Sequence, residues 1–380
     1  MSDKEIRKIL FLTGTRADFG KLKSLMLKLQ GDPDFEVDIF VTGMHMLSRY
    51  GSTWDEIRKA GLRNIYRFIN QNENDLMDHI MAKTINGLSD YVREMVPDLL
   101  VVHGDRVETL AGAVVGSLNN IPVAHIEGGE VSGTIDELIR HAVTKLSHIH
   151  FVSNEIAKKR LIQLGESVDR IHIIGSPDVD VMNSKNLPDI SEVKRYYNFN
   201  FSEYAILLFH PVTTELHNLQ QHTRILVDQV IDSGMNFVVI YPNNDHGTEV
   251  ILEEYSRLQH NPKIAIYPSM RFEYFLSLLK NAQFIIGNSS AGVKEAPHFG
   301  VPAINLGSRQ HNRVKTDLVL NVDFDPVHIQ QALSKQSELP RLPKALFGNG
   351  DSAEQFYEII KTLVAQKLDT QKYFIDSISF

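Results

Sequence analysis

Short continuous apolar runs rich in Val, Ile and Leu recur along the chain. The stretches between them carry apolar residues at three- and four-residue intervals. A strand buried on both faces reads as unbroken hydrophobicity and a helix covering it as a single apolar stripe, so the alternation predicts βα units and a largely parallel sheet. In the first half, strands are expected at residues 8–12, 37–41, 98–102, 122–125, 149–152 and 171–174. In the second half they are expected at 205–209, 237–241, 264–267, 284–286 and 303–306. Between the two sets, residues 175–196 hold SPDVDVMNSKNLPDI, where prolines and Asp, Asn and Ser residues interrupt the periodicity.

This organisation predicts an α/β protein of two doubly wound, Rossmann-like domains, residues 1–180 and 181–380. A last helix over 352–367 ends the second domain or packs back across the first. Open sheets of this kind bind ligands beyond the carboxyl ends of their strands, so the expected site is a central cleft that the two domains face. No internal repeat of 20 to 50 residues is visible, which excludes solenoids and propellers.

Composition narrows the chemistry. The chain has 380 residues, 43% of them hydrophobic, and a formal charge of -8, with no dense basic run of the kind phosphate-backbone contacts need. Nucleic acid is not an expected partner. No apolar run approaches the roughly 20 residues of a membrane span, and the polar start MSDKEIRKIL lacks a signal-peptide core. The expectation is a cytoplasmic protein without a membrane partner. There is no cysteine, so chemistry must come from oxygen and nitrogen groups.

Those groups cluster at predicted strand ends. Thr13-Gly14-Thr15-Arg16-Ala17-Asp18 forms a Gly-containing turn into a helix, where N–H groups and a guanidinium suit a phosphate; an ordinary βα turn reads equally well. His103-Gly104-Asp105-Arg106 follows the apolar strand DLLVV, and a local Asp–Arg pair capping the next helix is the bland alternative. His125-Ile126-Glu127-Gly128-Gly129-Glu130 and Gly133-Thr134-Ile135-Asp136 add three carboxylates within a dozen residues. Of these, Glu127 and Asp136 are the acid/base candidates and Glu130 reads as structural, although Asp136 could instead cap a helix. In the second half, His210-Pro211, Asn243-Asn244-Asp245 and Gly287-Asn288-Ser289-Ser290, with Glu295 beyond, sit at equivalent ends. The small residues suggest an anion cradle at the start of a helix. His141, His148 and His150 do not have metal-ligand spacing.

Taken in order, GTRADFG, VTGMHM with YG, HGDR, HIEGGE with SGTID, IRHAVTKLSHIHFVSN, IGSPD, FHPVTTE, PNND, GNSSAGVKEAP and GVPAINLGSRQ resemble the hydrolysing UDP-N-acetylglucosamine 2-epimerases of the sialic acid pathway. Non-hydrolysing relatives typically carry GTRPE and HGDT, whereas Ala17-Asp18, Arg106 and Ser289-Ser290 match the hydrolysing branch. The resemblance implies a GT-B-like fold, release of UDP, N-acetylmannosamine as product, no cofactor and no metal, and self-association into a homo-oligomer. Carried over motif by motif, it implies catalytic roles for Asp105, Glu127, Asp136 and His210. It implies UDP contacts at Arg16, Ala17, Asp18, Arg106, Asn243, Ser289, Ser290, Glu295 and Arg309. Bifunctional relatives add a kinase domain, which a chain ending at Phe380 is not expected to carry. Two alternatives stay open: the same reaction on UDP-2,4-diacetamido-2,4,6-trideoxyglucose, and a GT-B glycosyltransferase, which shares the fold.

Overall fold

The structure, a computed structural model, describes residues 6–72, 75–132, 134–310, 313, 316–366, 368–373 and 375–376. Among them, residues within Met1–Glu130, Asp136–Asn183 and Phe347–Phe380 form one compact unit, and those within Val131–Ile135 and Ser184–Leu346 form a second. Gly133 of the SGTID segment lies outside the described residues.

The first unit is built on a seven-stranded parallel sheet: β1 (Arg7–Thr13), β2 (Phe35–Val41), β3 (Asn64–Arg67), β4 (Leu99–His103), β5 (Val123–Ile126), β6 (Ile149–Val152) and β7 (Ile171–Ile173). Its order is β3-β2-β1-β4-β5-β6-β7. The second unit carries six parallel strands: β8 (Ala205–Leu208), β9 (Phe237–Ile240), β10 (Ile264–Tyr267), β11 (Ile285–Gly287), β12 (Ala303–Leu306) and β13 (Val319–Val322), in the order β10-β9-β8-β11-β12-β13. Both sheets are doubly wound, and the strand order reverses between β1 and β4 in one and between β8 and β11 in the other. Those reversals are where open α/β sheets place ligands.

The central strands form because their runs are apolar on both faces: Ile9, Leu10 and Phe11, Leu99 to Val102, and Ala205 to Leu207 are all fully buried. β3 and β13 are the two strands the apolar-run pattern does not anticipate. Both are sheet edges in which most side chains are partly or fully exposed, NIYR in β3 and VLNV in β13, so the hydrophobic signal is diluted.

The segment that reads as a break holds two short helices, Pro177–Met182 and Ile190–Tyr196. Pro177 stands in the first helical turn, where its missing N–H costs nothing. The last helix, Ser352–Ala365, belongs to the first unit. Phe356, Ile360 and Val364, four residues apart on one face, enter the core that holds Phe11, Leu22 and Phe151. Phe356 lies 4.8 Å, ring to ring, from Phe151, and Asp180 accepts the helix's first N–H groups, from Ser352 at 2.9 Å and Ala353 at 2.7 Å. No described helix is long and apolar enough to cross a membrane.

Candidate active site

The register of the first sheet brings two charged segments side by side. β4 and β5 pair His103 with Ile126, and the Gly104 N–H continues the ladder to the Ile126 carbonyl at 3.0 Å, so Asp105 and Glu127 emerge beyond the same sheet edge. Asp105 is bonded to the guanidinium of Arg140, which is almost wholly buried and also donates to the Glu130 carbonyl at 3.1 Å. Arg140 lies on helix Ile135–Leu146, one turn beyond Asp136, and the charges of Asp105, Glu130 and Asp136 all act on it. Burial works against its charge, but these carboxylates more than offset it and push its pKa up. One buried cation thus gathers two of the expected catalytic acids. Asp136 is the second residue of its helix, so it lies inside the first turn and not at the N-cap position. Glu130 is buried and accepts from the Ser153 hydroxyl, as a structural carboxylate would.

Glu127 is held differently. Its backbone is in the left-handed region at φ 63°, a conformation that costs a non-glycine residue roughly 1–2 kcal/mol and tends to persist at functional sites. The Ser176 hydroxyl donates to Oε1, and His103 Nε2 stands 3.3 Å from Oε2. The other nitrogen of His103, Nδ1, lies 2.9 Å from Asp18 Oδ1. Burial alone would depress the imidazole's pKa, yet its bonds to Asp18 and Glu127 outweigh that and raise it to about 9. Lys21 is 3.9 Å from Glu127 Oε2 and 2.9 Å from the buried carboxylate of Asp178. His125, packed beneath, is pushed down to about 3 by burial and stays neutral, bonded through Nε2 to the Gly104 carbonyl at 2.9 Å.

Around this edge, Thr15 caps helix Arg16–Gln30 by accepting from the Asp18 N–H, and the Asp18 carboxylate in turn accepts from the Gly14 N–H at 3.1 Å. Ala17 occupies the first turn of that helix. Arg16 is paired with Glu56 at 2.9 Å, and Arg106 is the N-cap residue of helix Val107–Leu118.

In the second unit the strand ends carry amides, hydroxyls and an imidazole. Asn288 accepts from the His210 N–H at 2.7 Å and donates to the His210 carbonyl at 2.8 Å, tying the end of β8 to the end of β11. His210 Nδ1 accepts from the Asn243 N–H at 3.0 Å, which leaves Nε2 as the nitrogen that carries a proton. Asn243 donates through its side chain to Asp245. Arg309 and Gln310 both donate to the Asn288 carbonyl. Gly287 has φ 137°, and a Cβ there would stand 2.0 Å from the Leu208 carbonyl oxygen, so only glycine lets β11 approach β8 this closely.

One expectation is corrected here. Ser289 accepts from the Ala291 N–H and caps only a short 3-10 turn, Ser290–Gly292, and the following helix, Glu295–His298, has four residues. Gly300, left-handed at φ 69° just beyond the C-cap Phe299, ends it. Any anion held here meets local N–H and hydroxyl groups without the dipole of a long helix.

Residues that sequence reasoning did not single out are His103, Lys21, Arg140, Ser176 and Asp178. The signal was present for His103 in HGDR, for Arg140 in IRHAVTKLSHIHFVSN and for Ser176 and Asp178 in IGSPD, whereas Lys21 stands in none of those segments and reaches the edge only through tertiary packing. The remaining histidines are in the fabric of the first unit: His150 bonds Glu166 at 2.9 Å and His148 bonds the Thr370 carbonyl at 3.0 Å. Among the described residues, no group of three or more His, Asp or Glu side chains is placed to hold a metal ion.

The family model for UDP-N-acetylglucosamine 2-epimerase matches residues 27–361. The UDP-N-acetylglucosamine 2-epimerase of Neisseria meningitidis serogroup B is 47% identical over 98% of this chain and 99% of its own length. The UDP-N,N'-diacetylbacillosamine 2-epimerase (hydrolyzing) of Legionella pneumophila is 33% identical over 94% of this chain and 96% of its own. Among solved structures, Methanocaldococcus jannaschii UDP-GlcNAc 2-epimerase, in complex with UDP-GlcNAc and UDP, shares the fold with a TM-score of 0.79. It is 24% identical, covering 93% of this chain and 99% of that one. A pair of doubly wound units is the GT-B-like architecture, and with a family match over most of its length this chain belongs to the UDP-N-acetylglucosamine 2-epimerase family.

Proposed function

We propose that the protein is a hydrolysing UDP-N-acetylglucosamine 2-epimerase, converting UDP-N-acetylglucosamine and water to UDP and N-acetylmannosamine, the precursor sugar of sialic acids. The observation that carries this reading is the acid edge of the first unit, where Asp105, Glu127 and Asp136 stand at neighbouring element ends, each near a fixed cation.

The C2 proton of the sugar is not acidic, because no carbonyl is adjacent. As the C1–O bond breaks, its electron pair leaves with the diphosphate, and the oxocarbenium character at C1 makes the C2–H bond labile. A carboxylate then takes that proton and a C1=C2 double bond forms, giving a glycal. Water adds its oxygen to C1 while a proton returns to C2 on the opposite face, which inverts that centre and releases the free sugar. Acid and base must reach both faces of the ring, a task that suits several carboxylates better than one. UDP is assigned to Arg16, Ala17, Asp18, Arg106, Asn243, Ser289, Ser290, Glu295 and Arg309. His210 is assigned to the leaving phosphate, because its Nε2 carries the proton a leaving oxygen needs.

Incubation with UDP-N-acetylglucosamine and no acceptor tests the reading. Equal amounts of UDP and N-acetylmannosamine support it. UDP-N-acetylmannosamine without free UDP would identify a non-hydrolysing epimerase, and untouched substrate would point to a glycosyltransferase. A second substrate, UDP-2,4-diacetamido-2,4,6-trideoxyglucose, is favoured by the Legionella relative, a UDP-N,N'-diacetylbacillosamine 2-epimerase. Rates with both nucleotides, compared side by side, decide between them.

A further inference from the structure

The position of His103 between two carboxylates carries a role that the carboxylates alone do not explain. Both of its ring nitrogens stand against carboxylate oxygens: Nε2 is hydrogen-bonded to Glu127 at 3.3 Å, and Nδ1 is at ion-pair distance, 2.9 Å, from Asp18 Oδ1, out of line for a hydrogen bond but too close for a nitrogen lone pair to be favourable. A carboxylate only accepts, so a neutral ring would set a nitrogen lone pair against one of them, and the arrangement is satisfied only when both nitrogens carry protons. The side chain is buried, its backbone carbonyl is fixed by the Thr109 hydroxyl at 2.8 Å, and Asp18 is fixed by the Gly14 N–H.

We infer that His103 is a positioning residue: held as an imidazolium by Asp18, it keeps Glu127 ionised and oriented, so that Glu127 serves as the base of the reaction. This deepens the hydrolysing reading above and rests on it for the role of Glu127. Among the described residues, charged or titratable groups close to this pair include Lys21, Asp178 and His125. Lys21 sits closer to Asp178, at 2.9 Å, than to Glu127, at 3.9 Å, and His125 is uncharged. His103 is therefore the cation that Glu127 feels most directly. A raised imidazole pKa of about 9 agrees with the geometry. Asp18 then has a physical reason to stand in the first turn of helix Arg16–Gln30, where its side chain turns back from solvent to the ring.

The test combines nitrogen-15 NMR of histidine-labelled full-length protein with pH profiles of UDP release. His103, assigned by its loss in H103Q, is expected to show two ring N–H signals at pH 7.5 in the ligand-free protein, and only one in D18N. In H103Q, kcat at neutral pH is expected to fall about a hundredfold with KM within roughly threefold, and the acidic limb of the profile to move up by about one pH unit. A single ring N–H in the wild type overturns the inference, as does an H103Q enzyme with unchanged kcat and pH profile. Should H103Q not fold, D18N must show the same displaced acidic limb, and an undisplaced limb overturns it equally. The NMR result needs no substrate, so absence of UDP release by the wild type would refute the hydrolysing reading separately.

Discussion

The two sheets share one winding, yet their switch-point edges differ in kind. Beyond β4 and β5 lie carboxylates, a guanidinium and an imidazole raised to about 9, knitted by ion pairs. Beyond β8, β9 and β11 lie an imidazole with an accepting nitrogen, two asparagines, serines and a glycine, knitted mainly by hydrogen bonds between uncharged groups, with Asp245 and Arg309 as charged partners of the two asparagines. Rossmann topology delivers a set of strand ends to one edge; the residues placed there decide whether that edge moves protons or holds a ligand. A charged edge is costly to assemble, because every buried charge must be paired. Its supporting residues, Arg140, His103, Lys21 and Asp178, are accordingly drawn from four different elements. The second edge relies more on close backbone approach and local amides, with Asp245 and Arg309 bonded to the asparagines there.

The sharpest way to break this comparison is to remove charge from the acid edge. D105N or E127Q is expected to lower UDP release by at least roughly a hundredfold, the usual scale for acid/base groups. Retained rates in both would take them out of the mechanism. Next is Arg140→Met, which leaves Asp105 without its buried partner. Because Asp105 keeps about a quarter of its side chain in water, the expected cost is about 3 kcal/mol, the low end for a broken buried pair, read by denaturant unfolding. In the second unit, Gly287→Ala forces a Cβ onto the Leu208 carbonyl at an unfavourable φ and is expected to cost about 2 kcal/mol. Ser289→Ala is expected to act on binding, raising KM for the nucleotide about tenfold with kcat less affected, which would separate the holding edge from the proton-moving one.

The smallest effect tests a charge network away from both edges. Burial alone would raise Glu166, but bonds from His150, Lys145 and Lys372 dominate and bring it down to about 2. A carboxylate lowered on folding stabilises above its unfolded pKa of 4.5, and the contribution is lost as pH falls through about 2. Glu166→Gln is expected to flatten the wild type's stability loss across that window, measured by thermal unfolding at stepped pH.

The central strands and the parallel winding are legible because strands buried on both faces must be apolar, and the catalytic candidates are legible because charged residues directly after such strands have few structural reasons to be there. β3 and β13 escape that logic, since water at a sheet edge relaxes the demand for apolar side chains. The 3-10 turn at Ser290 escapes it too, because small residues after a strand look alike whether a helix or a tight turn follows. The pairing of Lys21 with Asp178 is invisible for a different reason. Each is one charged residue on an amphipathic helix, and only packing of helix Arg16–Gln30 against helix Pro177–Met182 turns the pair inward.

The measurement closest to the central claim is proton NMR of the reaction with UDP-N-acetylglucosamine in deuterated water. Removal and return of the C2 hydrogen with departure of UDP predicts free N-acetylmannosamine bearing one deuterium at C2, formed in step with UDP. A product that keeps its hydrogen at C2, or a manno sugar still attached to UDP, would contradict it.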